Sequence, residues 1–323
     1  MKNLLPVIWL LLALSGTAQK PVFRFTLEGI GDNREFHNGQ SRAQTILGTL
    51  GSFQAGTVID GHSLFAGVGQ LFEAGSPIDR HRPWIILYYG YEGNGRQFRF
   101  GSFPRRGTVD FPLAMLADTL MVFRPQIEGL TGKLHGGWGH QMAFVDWTGR
   151  QTPTVREAFM AGTSGEIKIK SWFLQNYILM NHLAHTSPKV EGQHIRDHLG
   201  FAVLAGWRTG DKETVTAELR GGLLSSVYRE RSVTDGFQWG HSLHVEGNGR
   251  YRNMGLKTTL HSGDPLQFAH GDPFYRFGDL LRTDAIWYFI NHPRVKGRFN
   301  WSFHWVDFTF LDQSQQLTII YTL

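Results

Sequence analysis

From about residue 20 onward, apolar residues recur at every second position, in runs of roughly ten broken by turn residues. A strand that crosses a membrane leaves this pattern, with one face against lipid and the other turned inward. In Val22 to Gly29, Phe23, Phe25 and Leu27 alternate with Arg24, Thr26 and Glu28. In Arg96 to Phe103, Phe98 and Phe100 alternate with Gln97, Arg99 and Gly101, and in Thr214 to Leu223, Val215, Ala217, Leu219 and Leu223 oppose Thr216, Glu218 and Arg220. Gly297 to Trp305 sets Phe299, Trp301, Phe303 and Trp305 against Arg298, Asn300, Ser302 and His304. Beyond Trp305 the parity reverses, so a strand end or bulge is expected near Val306. Soluble sandwiches also alternate, but a wholly aromatic outer face suits lipid contact.

Competing architectures fall away. The chain has 323 residues and no Cys, which excludes disulfide scaffolds, thiolate metal sites, thiol nucleophiles and a lipid-anchored cysteine. Met1-Lys2-Asn3 followed by the apolar run Leu4 to Leu14 and by Ser15-Gly16-Thr17-Ala18 reads as a signal peptide of residues 1–18. That run is too short for a helical span, which needs about 20 residues, and few later stretches are apolar enough to make one. The formal charge of +5 is mild and its basic residues are dispersed, so no nucleic acid is expected as a partner.

The connections alternate in length. Short ones are expected at Asp60-Gly61, Gly93 to Gly95, Gly137 to Gly139, Thr209 to Lys212, Gly247 to Gly249 and His292 to Lys296. Longer ones span 31–42, 73–82, 104–121, 148–155, 185–198, 225–235 and 263–281. Short periplasmic turns alternating with long extracellular loops are the habit of outer-membrane barrels. The expected fold is therefore all-β, a single transmembrane antiparallel β-barrel over residues 19–323. It has about 16 strands, with 14 as the alternative because 163–184 lacks a clear turn. The chain closes on an alternating strand, Leu317, Ile319, Tyr321 and Leu323, of the kind the barrel assembly machinery reads, though without its usual terminal aromatic.

Asp32-Asn33-Arg34-Glu35-Phe36, Gln44 to Gly48, Ala66 to Gly69 ahead of Gly75, Phe100 to Phe103, Ile127-Glu128-Gly129, Phe144 to Trp147 and Gln313 to Leu317 together resemble an uncharacterised family of porin-like outer-membrane barrels from Bacteroidetes. The resemblance spans most of the chain. It implies a leader and a barrel in the outer membrane among lipid and lipopolysaccharide, and it supplies no reaction.

For catalysis, a barrel that hydrolyses lipid esters needs a Ser beside a His at the lipid-facing rim. His241-Ser242-Leu243-His244 with Asn248-Gly249-Arg250 approaches this, but Ser242 points to the opposite face from His241, so no catalytic residue and no enzymatic activity are expected. The 15 His include His182, His185, His194 and His198 around one expected loop, and His261 and His270, without an ordered ligand motif. Asp264, Asp272 and Asp279 lack Ca²⁺-loop spacing. No metal and no cofactor are implied.

The inward faces supply the remaining candidates: Arg24, Glu28, Arg99, Lys168, Lys170, Arg208, Glu218, Arg220, His244, Glu246, Lys257 and His304 as pore-lining residues. Seven are basic and three acidic. Such a lining favours anions, with Glu accepting from sugar hydroxyls, although paired Arg and Glu also simply crosslink a polar interior. The leading expectation is an outer-membrane pore or export channel for small polar or anionic solutes, including saccharides, constricted by loop 104–121 or 263–281. The alternatives are a plugged barrel whose outer loops bind a surface lipoprotein or polysaccharide, and a barrel lipid hydrolase.

Overall fold

The computed structural model describes residues 20–77, 79–209 and 215–323, at 310 and 311 by backbone alone. The expected leader and most of the turn at Thr209 to Lys212 lie outside the described residues. Sixteen strands form one closed antiparallel barrel. They are β1 (Val22–Glu35), β2 (Gln44–Ile59), β3 (His62–Glu73), β4 (Trp84–Gly93) and β5 (Arg96–Pro104), then β6 (Gln126–Gly136), β7 (Gly139–Gly149) and β8 (Ala158–Ile169). The second half comprises β9 (Trp172–Leu183), β10 (Arg196–Arg208), β11 (Val215–Glu230) and β12 (Gln238–Tyr251), then β13 (Met254–Gly263), β14 (Asp279–Asn291), β15 (Val295–Val306) and β16 (Thr309–Thr322).

Each strand pairs with its neighbour in sequence, and β1 closes on β16 from Thr26↔Thr322 to Glu35↔Gln313. Leu323 completes the seam by exchanging main-chain hydrogen bonds with Phe25 at 2.9 and 3.1 Å. Closure leaves no unpaired sheet edge, the condition for spanning lipid with strands. The outer wall is apolar, with Ile85, Leu87, Phe100, Val203, Leu219 and Leu223 exposed. Such a wall belongs in a bilayer, which places the protein in the outer membrane. Among the described residues no helix is long and apolar enough to cross.

The turns bear out two expectations, the count of 16 and the strand end near Val306, and overturn one, the turn at Gly247 to Gly249. A turn at Lys170 and Ser171, with Lys170 at φ 57°, separates β8 from β9 and settles the count at 16. Gly247 to Gly249 lies inside β12, and the chain turns instead at Arg252 (φ 53°) and Asn253, because glycine is tolerated in a strand. After Val306, Asp307 (φ 51°) and Phe308 (φ 57°) make a two-residue hairpin at the otherwise long-loop end. Together with a register shift at His304/Trp305, this accounts for the parity change.

Two long connections, 105–125 and 264–278, fold into the lumen. The first carries a single helical turn, α1 (Leu120–Phe123), and the second a 3₁₀ turn, Pro273–Arg276. They meet at a parallel bridge between Leu116 and His270, with Ala117 N–H donating to the His270 carbonyl at 2.7 Å and Asp272 N–H to that of Leu113 at 2.9 Å. A Cβ at Gly271 would lie 1.9 Å from the Ala114 carbonyl oxygen, so only glycine fits this crossing. Phe111, Met115, Leu116, Leu266, Phe268 and Phe274 from these loops join Phe65, Ile86, Phe103, Phe144, Leu204 and Leu224 from the wall in one buried apolar cluster. The barrel thus has a core, on the inside, at the level where a pore would have its constriction.

Candidate functional site

Of the twelve residues assigned to the lumen, eleven stand on inward faces, and nearly all are engaged. Arg24 lies 3.9 Å over the Phe65 ring and donates to the Tyr88 hydroxyl at 2.8 Å. Buried Glu28 accepts from Arg106 of the first inner loop at 2.8 Å, and Arg99 donates to Thr108 of the same loop at 2.8 Å. Arg208 bonds Glu166 at 2.6 Å and approaches Glu218 to 3.2 Å, while Lys168 stands 3.6 Å from Glu166. Arg220 and Lys257 share Glu246 at 2.7 and 2.8 Å. His244 and His304 are covered by loop aromatics: Tyr275 lies 6.1 Å from the first ring, and Phe274 stacks on the second at 3.9 Å. Lys170 is the exception, since it occupies the β8–β9 turn and no strand face. The basic excess is therefore largely compensated, in part by Glu166, which shares the parity of Lys168.

Sequence reasoning missed the clamp that sets the first inner loop. Arg105, fully buried, donates to the carbonyls of Arg124 and Gln126 at 2.8 Å each, joining the loop's two ends. Its charge is met by buried Asp146 on β7, whose other oxygen accepts from Glu128 N–H at 2.9 Å. Arg282 likewise links Asp284 (2.9 Å) on its own strand to Asp272 (3.3 Å) on the second loop. Both carboxylates sat in, or beside, stretches taken as free loop.

Above the core, at the long-loop end, a cavity of about 670 Å³ is lined by Arg124, Arg196, Arg276, His198, His270 and Gln267 among others. A second, of about 420 Å³, shares Arg276 and His270 with it. Burial, reinforced by the nearby Arg124 and Arg105 guanidiniums, pushes His270 down to about 4, so its imidazole is neutral at neutral pH.

The outer wall holds the remaining chemistry. Ser225 Oγ on β11 and His241 Nδ1 on β12 are 2.9 Å apart, both on the outward face. Asp264 fixes the main chain of His241 by accepting its N–H at 3.0 Å and donating its own N–H to the His241 carbonyl at 2.9 Å. Leu223 and Leu243, exposed to lipid, sit on the periplasmic side of the pair, and Trp239 stacks on His241 (5.9 Å) toward the outer rim. The Ser242 considered from sequence is buried on the inner face, as is His244. The partner came from the adjacent strand, at a position the sequence reading gave to loop 225–235. A second outward pair, His182 Nδ1 and Asp197 Oδ1 at 2.7 Å, is backed by Arg231 at 2.9 Å from the other Asp197 oxygen. Among the described residues no three His, Asp or Glu side chains are grouped to hold a metal ion.

Comparison with known proteins adds both fold and family. The chain is similar to a loop L8 deletion mutant of OmpT, an outer membrane protein of Vibrio cholerae, at 11% identity and a TM-score of 0.59 over 95% of this chain and 100% of that one. OmpF of Salmonella typhi, in a complex with daunomycin, matches at 12% identity and 0.56, over 94% and 98%. OpdK of Pseudomonas aeruginosa matches at 11% and 0.55, over 94% and 99%. These likenesses show the porin-like fold. No curated protein matches the chain. The sequence pattern of the lipid A 3'-O-deacylase-type family matches residues 16–306. This is a family of enzymes, so the expectation of a barrel without enzymatic activity is corrected. That expectation rested on a single hairpin and could not see a pair formed across two strands.

Proposed function

We propose that this chain, which belongs to the lipid A 3'-O-deacylase-type family, hydrolyses an acyl ester of a saccharide lipid of the outer leaflet at Ser225 and His241. One observation carries the reading: a Ser hydroxyl in hydrogen-bond reach of an imidazole on the lipid-facing wall, 2.9 Å apart. An acyl ester buried at the edge of a leaflet reaches this face and not the lumen. His241 Nδ1 accepts the Ser225 proton as Oγ attacks the ester carbonyl, and gives it to the departing sugar hydroxyl; water then releases the fatty acid from the acyl-serine by the same route. Leu223 and Leu243 flank the acyl chain, while Asp264 holds the His241 backbone in place.

The test is release of fatty acid from lipid A in mixed micelles by the purified, folded protein. Ser225→Ala and His241→Ala are each expected to reduce it by 10³-fold or more, on the order of the loss when one member of a nucleophile–base pair is removed, with the melting temperature unchanged. Release that survives both substitutions would move the chemistry elsewhere, first to His182 and Asp197. A second reading, passage of small polar or anionic solutes, is favoured by the porin-like fold and requires the two inner loops to withdraw.

A further inference from the structure

We propose that the vestibule above the core is a binding site for a phosphate-bearing saccharide presented from outside the cell, separate from the acyl-ester site on the outer wall. Among the described residues its lining contributes three guanidiniums, Arg124, Arg196 and Arg276, and no carboxylate. They are partly committed to the protein: Arg124 donates to the Thr148 carbonyl at 2.6 Å and Arg196 pairs with Glu230 at 2.9 Å. Arg276 has no ion-pair partner among the described residues, and it also lines the adjoining cavity. A planar fork of donors that makes no ion pair, although Asp118 and Asp272 line the adjoining cavity, matches a phosphate, which it binds bidentately. The low-dielectric loop core that reaches the cavity at Phe268 strengthens that attraction over its value in water. The remaining polar groups suit hydroxyls, with Gln267 offering its amide and His270 a neutral imidazole. Tyr228 and Phe268 present rings of the kind on which sugar faces pack. At about 670 Å³ the space exceeds what phosphate alone needs and fits a sugar phosphate. It opens among the long loops, so the ligand comes from the extracellular side.

The experiment is calorimetric titration of the full chain, folded in detergent micelles, with glucose 1-phosphate, glucose and inorganic phosphate. Saturable binding of glucose 1-phosphate is expected. Binding should weaken as salt is raised and be at least tenfold weaker in Arg276→Gln, with no change in Arg298→Gln at the opposite end of the barrel. Should Arg276→Gln fail to fold, Arg276→Lys keeps the charge and removes the fork, and is expected to bind several-fold more weakly. Ser225→Ala should bind as the wild type does, so failure of the hydrolase reading leaves this result intact. No saturable binding of glucose 1-phosphate, or unchanged affinity in the Arg276 variants, overturns the site. Glucose binding as tightly overturns the phosphate, and inorganic phosphate binding as tightly overturns the saccharide.

Discussion

The Arg105–Asp146 pair shows how a single interaction decides whether the lumen is filled. Both side chains are almost wholly buried, at 1% and 2% exposure. Two charges removed from water are tolerated only because each is met by the other and by main-chain partners. Arg105 also gives Nε and Nη2 to the two carbonyls where the loop returns to the wall, while its Nη1 finds no partner among the described residues. Asp146→Ala therefore leaves an uncompensated guanidinium at the root of the loop and is expected to cost ~3 to 5 kcal/mol. Thermal unfolding in detergent measures the cost; a melting temperature equal to the wild type's would show that the clamp does not hold the loop. At this scale the sequence was only partly legible. Arg105 and Asp146 are 41 positions apart, and nothing in their neighbours marks them as a pair. Glu166 too is missing from the inward set, although alternation through Lys168 is enough to carry it to the inner face.

At the scale of the strand, alternation told faces more reliably than ends. β15 puts Asn300, Ser302 and His304 inside and Phe299, Trp301, Phe303 and Trp305 outside, as the pattern required. Period two fixes a face from any three or four residues, since a slip of one would move every side chain through the wall. Ends are set by turn chemistry, which is weaker: glycines in β12 imitated a turn, while Ser225, His198 and Asp197 were assigned to loops although their strands continue through them. The candidate pair was hidden for that reason, because Ser225 meets His241 only once β11 runs on to Glu230. Depth along the same strand is testable. Leu223, 64% exposed toward the middle of β11, should cost ~2 to 4 kcal/mol on substitution by Arg, whereas Val215→Arg at the periplasmic end should cost ~0 to 1 kcal/mol. Equal costs, measured by reversible folding into lipid vesicles, would contradict the placement of the bilayer around β11.

For the whole molecule, the closed wall and the filled lumen are separable. Pro104 and Gln126, which bracket the first inner loop, are register partners, and so are Ser262 and Asp279 around the second. Each loop is therefore an insertion at the top of an otherwise continuous hairpin, and its removal leaves the ladder of the barrel intact. The loops stay inside because their apolar side chains have nowhere else to go: each fully buried Phe, Leu or Met is worth ~1.5 to 3 kcal/mol against water, and Phe111, Met115, Phe268 and Phe274 meet wall residues from β3 through β11. Composition and alternation announce the wall, and length marks 104–121 and 263–281 as the connections that enter it, as they do; which of their side chains bury there is not announced, since loop residues that bury in a lumen look like any other loop. Replacing residues 105–125 and 263–278 with Asn-Gly hairpins is thus expected to leave a folded barrel. Its conductance in planar bilayers should exceed the wild type's by at least tenfold, the wild type being nearly silent. Equal, large conductance in both would mean that the loops withdraw in the membrane, and passage of solutes would then stand beside ester hydrolysis as an activity of the chain.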